Sequence, residues 1–115
     1  MTSLKVFQKL EEIVPVATAH QEGKKLVFLK NEESCTALTQ FAYGKFLPGE
    51  GCKEHKHPTM EECFFFIKGE GTYKINQEIY LLAPGTFLRI PPNTAHELRA
   101  TGNESLEFVY FGVAI

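Results

Sequence analysis

The chain has 115 residues, 43% of them apolar and 23% charged, with a formal net charge of −2. That length predicts one domain, and the near-neutral balance gives no basic footprint for a nucleic acid. No apolar run approaches a bilayer span. The opening residues, Met1 to Phe7, lack the apolar stretch of a secretion signal, so a cytoplasmic location is expected.

Apolar side chains at Leu4, Phe7, Leu10 and Ile13 fit either a short helix or a strand, and Pro15 ends it in both cases. His20 lies in an expected solvent-facing loop, and Lys24 and Lys25 read as a solvated turn. Residues 26–29 form a short apolar strand, 31–34 a turn, and 36–46 a long strand rich in Thr and aromatics. A break at 47–51 separates these from a Phe-rich strand at 62–68. Further strands are expected at 72–75, 79–82, 87–90, 96–100 and 106–113, divided by turns rich in Gly, Pro and Asn. Short strands at close intervals with no long helix predict an all-β sandwich or barrel. A chain this small hides its strand edges best in a closed or double-sheet jelly roll. Residues 1–25 would supply an arm and the first strands, and 26–115 the barrel core.

Cys35, Cys52 and Cys63 make an odd number and include no CxxC pair. Neither a disulfide framework nor a thiolate zinc site is expected. The histidines are more informative. His55 and His57 are two apart, and in a strand such residues project from one face. A third imidazole and a carboxylate must then arrive from neighbouring strands. His96 and Glu62 are the candidates, each expected to head a strand just after a turn. Three neutral nitrogens and one carboxylate suit a borderline divalent ion: Fe, Mn, Ni, Co, Zn or Cu. Four protein ligands on one side of a barrel leave positions open for water or a small molecule.

The stretches around these residues resemble the paired motifs of the cupin superfamily. Gly49, His55, His57, Glu62 and Gly69 fit the first motif without a gap, and Gly85, Pro91 and His96 fit the second. Asn93 stands where that motif has Gly, and Ala100 where it has Asn. Asn tolerates positive φ well, so the turn at 93 should survive. The motif spacing back from Gly69 selects Glu62 over Glu61 as the ligand. The resemblance implies a double-stranded β-helix with little or no helix, and one divalent transition metal on His55, His57, Glu62 and His96.

Alternation along 62–68 turns Phe64 and Phe66 inward with Glu62, and Cys63, Phe65 and Ile67 outward. Phe64 and Phe66 are therefore candidate walls of a pocket, with Tyr43, Gln40 and Lys53 as candidate contacts of undetermined facing. Outward Phe65 and Ile67 suit a covered face, and proteins with these motifs commonly pair through such a sheet, so a homodimer is expected. Cys52 reads as a small buried side chain. For function, the resemblance implies a small oxygen-rich ligand in the barrel and metal-dependent chemistry, foremost of dioxygenase type. Glu62 would be able to act as a base. The alternatives are a sugar or keto-acid isomerase or epimerase, some of which use a histidine base without metal, and a non-catalytic sensor or binding module. The retained Glu62 argues against the thiol dioxygenases.

Overall fold

Alternating burial along each strand decides the architecture. The computed structural model describes residues 5–18 and 22–115, so Leu4 and His20 lie outside the described residues. Ten strands follow in order: β1 (Val16–Ala17), β2 (Lys24–Lys30), β3 (Leu38–Phe46), β4 (Gly51–His55), β5 (Met60–Lys68), β6 (Gly71–Ile75), β7 (Glu78–Leu82), β8 (Phe87–Ile90), β9 (His96–Ala100) and β10 (Leu106–Ala114). They form a six-stranded sheet in the order β1-β2-β3-β10-β5-β8 and a four-stranded sheet in the order β4-β9-β6-β7. Every pairing is antiparallel. The helical content among the described residues is two single turns of 3-10 helix, Leu10–Glu12 and Asn31–Glu33. The expected all-β jelly-roll barrel is the observed fold.

The inner faces of the sheets meet in one aromatic core. The larger sheet sends in Phe46, Phe64, Phe66, Leu88, Ile90, Leu106 and Phe108, and the smaller answers with Cys52, Tyr73, Leu82, Leu98 and Ala100. Phe66 is fully buried, with the ring of Phe108 5.1 Å away. Burying one such ring contributes about 2–3 kcal/mol. On the other side of β5, Phe65 and Ile67 stay 47% and 44% exposed, as alternation predicts.

The amino-terminal arm departs from both expected forms. Leu10–Glu12 close one 3-10 turn, and no helix or strand spans the run. The stretch is too short to nucleate a helix alone, and Ile13 buries while Val6 and Phe7 remain exposed. β3 begins at Leu38, later than 36, because hydroxyls compete for the backbone there. Thr36 N–H donates to Ser34 Oγ, and Leu38 N–H to Thr36 Oγ1. β4 ends at His55, so His57 lies past the strand and does not share its pleat. Glu62 is the third residue of β5, not its head.

Two turns fix the geometry around the motifs. Gly69 has φ +83°, and a Cβ there would approach the Ser105 carbonyl oxygen at 2.2 Å. Both the backbone conformation and the missing side chain are required. Asn93 takes φ 56°, the left-handed region that the sequence reading anticipates. Gly69→Ala should therefore lower unfolding free energy by at least about 2 kcal/mol, whereas Asn93→Gly should change it by less than about 1 kcal/mol. Urea titration followed by far-UV circular dichroism measures both.

Candidate metal centre

β4 and β9 are neighbours in the smaller sheet, and their register sets His55 directly opposite His96. The ring centroids of these two lie 4.2 Å apart. His57 comes from the turn after β4, and its ring stands 4.9 Å from His55 and 5.4 Å from His96. The backbone of that turn is pinned: Asn93 N–H donates to the His57 carbonyl at 2.8 Å. The loop of the second motif thus holds the first motif's histidine in place. Glu62 crosses from the larger sheet. Its Oε1 is 3.6 Å from His57 Nε2 and 3.7 Å from His96 Nε2.

The donor set fits a metal ion. One nitrogen from each of His55, His57 and His96 lies within 4.8 Å of the others. The Glu62 separations are those of two donors sharing one cation at bonds of about 2.0–2.2 Å. His55 Nδ1 meets the Lys53 carbonyl at 2.7 Å, and His96 Nδ1 meets the Thr94 carbonyl at 2.8 Å. A carbonyl only accepts, so each Nδ1 donates to it, which leaves Nε2 as the ring nitrogen for a metal. His96 is 1% exposed and Glu62 8%, whereas His55 and His57 are half-buried. The cluster is therefore closed at its base and accessible from one side.

Burial pushes the Glu62 carboxyl up to about 7. Taking its charge out of water disfavours the ionised form, and a cation among the imidazoles would favour it. Burial likewise pushes the Cys52 thiol up to about 12. Cys52 is then a neutral thiol at physiological pH, not a thiolate ligand.

A cavity of about 150 Å³ opens beside the cluster, lined by His55, His57 and Glu62. Two of the expected pocket residues line it, Phe64 as part of an aromatic wall and Gln40 beside Lys25. Three expectations are corrected. Phe66 packs beneath that wall, fully buried, and does not reach the cavity. Tyr43 faces the opposite side of its sheet, lining a separate hollow of about 840 Å³ and donating its hydroxyl to Glu107 Oε1 at 2.6 Å. Lys53 is exposed, and its carbonyl, not its ammonium, serves the site by holding His55. The sequence reading also missed Lys25. Lys25 lies in β2 opposite the buried Gly44, on the inner face, and lines the cavity with Gln40. The signal was alternation through Lys25 and Val27, legible only once the start of β2 was known.

Residues 42–112 match the family described as the cupin domain. An oxalate-binding protein of Thermotoga maritima is 27% identical over 103 residues, covering 85% of each chain. An uncharacterized protein of Methanocaldococcus jannaschii is 33% identical over 55 residues, 48% of this chain; the match spans under half of that relative, 44%. Among solved structures, a predicted oxalate decarboxylase from Thermotoga maritima superposes with a TM-score of 0.89 at 23% identity, covering 96% of this chain and all of that one. KdgF from Halomonas sp. superposes with a TM-score of 0.75 at 18% identity, covering 96% of this chain and 94% of that one. With its motifs, its two facing sheets and this match over more than half its length, the chain belongs to the cupin family.

Proposed function

We propose that the protein is a metal-dependent enzyme that holds one divalent transition-metal ion on His55, His57, Glu62 and His96 and takes a small oxygen-rich ligand into the adjoining cavity. The convergence of three imidazole nitrogens and one buried carboxylate at the end of a cavity open on one side carries this reading. A metal so bound supplies Lewis acidity, or oxygen activation if it is iron, which makes a dioxygenase-type reaction the leading class. The chain's own residues do the rest. The Lys53 and Thr94 carbonyls fix two imidazoles in the ligating tautomer. The aromatic wall around Phe64 limits water. Glu62 Oε1, on the larger sheet, is placed to ligate or to take a proton from a ligand in the cavity.

The Thermotoga oxalate-binding relative favours a second reading, a module that binds a small acid without turning it over. Protein from its own host should contain about one transition-metal ion per chain. His57→Ala and His96→Ala should each weaken metal binding by more than about 100-fold, since losing only a supporting hydrogen bond already costs about 10–100-fold. Both variants should stay folded by circular dichroism, because the core closes without the ion. A wild type that holds no metal, or variants that keep it, would overturn the metal reading. Oxygen uptake by the iron-loaded protein with small acids supports the dioxygenase class. Turnover without oxygen supports an isomerase, and tight binding without turnover supports the module.

We further propose that the chain pairs with a second copy through the outer face of the larger sheet. Phe41, Phe65 and Phe87 remain 38–64% exposed there, beside Val109 and Phe111, and together they line a shallow apolar hollow. Such a contiguous patch marks an interface. Light scattering should give twice the mass of one chain, and Phe87→Glu should return it to one.

A further inference from the structure

β2 and β3 carry two polar side chains on the inner face of the larger sheet. Lys25 pairs with Gly44, and Gln40 with Gly112, and both glycines are buried. Partners in an antiparallel pair share a face, so Lys25 and Gln40 project toward the core side. Lys25 Nζ donates to Gln40 Oε1 at 3.2 Å. Among the described residues no carboxylate lies within 4 Å of that ammonium. Lys25 is half-buried and its hydrogen-bond partner is a neutral amide, whereas charges drawn into a protein are ordinarily paired with an opposite charge.

The register relates this pair to the metal ligands. Gly112 pairs with Gln40 on one side and with Glu62 on the other. Gln40 and Glu62 thus occupy one rung of the sheet with a glycine between them, their backbones about 10 Å apart at the usual strand spacing. Both line the same cavity as His55 and His57. Its volume of about 150 Å³ matches about five molecules of liquid water, enough for a small acid.

We propose that Lys25 and Gln40 are specificity-determining residues that receive the far, anionic end of the ligand, so that the site selects a small acid carrying two negative groups. The inference rests on the metal-centre reading above. One carboxylate of the ligand completes the coordination at the histidine end. The second displaces the Gln40 oxygen as the acceptor for Lys25 and takes an N–H from the Gln40 amide. Charge-assisted hydrogen bonds of this kind are the strong ones, and a neutral ligand of the same shape leaves the ammonium unmatched.

Two ligand pairs test this on the full-length protein loaded with Mn(II): succinate against butyrate, and malonate against propionate. Members of each pair have equal chain length and differ in the far carboxylate. Calorimetry reads affinity, and elemental analysis reads metal content. At least one dicarboxylate should bind about tenfold or more tighter than its partner. Lys25→Met should remove that advantage while leaving the monocarboxylate affinity and the metal-to-protein ratio unchanged, and Lys25→Arg should retain most of it. The proposal is overturned if no dicarboxylate advantage exists in the wild type, if Lys25→Met keeps it, or if that variant loses mono- and dicarboxylates alike. A wild type that fails to hold Mn(II) overturns the metal centre itself, and elemental analysis separates that failure from the others.

Discussion

A carboxyl group on one sheet facing three imidazoles at the end of the other is the contact on which the rest of this structure depends. Glu62 is almost fully buried, and burial alone pushes its proton affinity toward neutrality. A buried acid with no cation is held at a cost. The same burial becomes an asset once positive charge sits among the imidazoles, because low polarity strengthens every interaction inside the cluster. The two sheets therefore converge on a place where a cation would relieve what the fold imposes.

The supports of that place are backbone groups, which makes them independent of side-chain chemistry around them. Two carbonyls set the imidazole tautomers, and the Asn93 amide anchors the turn that bears His57. Gly69 lets the chain pass close to the Ser105 carbonyl at the end of β5. The aromatic core beneath gives these groups a rigid base. Rings such as Phe64, Phe66 and Phe108 interlock at 5–6 Å, so His55, Glu62 and His96 stand on strands over a packed base, and His57 stands on the anchored turn. Ala100, where the resembling motif has Asn, is buried in that core.

Legibility differed sharply between residues. The bounds of β8 and β9 follow from their flanking Gly, Pro and Asn, and the Phe-rich stretch of β5 shows its inward and outward faces by strict alternation. His55, His57, Glu62 and His96 stood out because their spacing lies within a recognisable Gly and Pro frame. The arm before β1 was not legible, since four apolar residues fit helix and strand equally and Ile13 alone among the described ones found the core. The facing of Tyr43 and Lys53 was not legible for a related reason. In a two-sided strand, one residue of uncertainty in the starting point exchanges every inward side chain for an outward one.

The sequence by itself determined the class of fold, the positions of most turns and the four candidate donors, because alternation, turn chemistry and residue spacing are local properties of the chain. Only the tertiary structure decided that His57 joins the cluster from beyond the end of β4, that Glu62 reaches it from the opposite sheet, and that Lys25 shares a cavity with them. Those facts depend on which strands become neighbours and in what register. Residues far apart in the chain settle that jointly when they bury a common core.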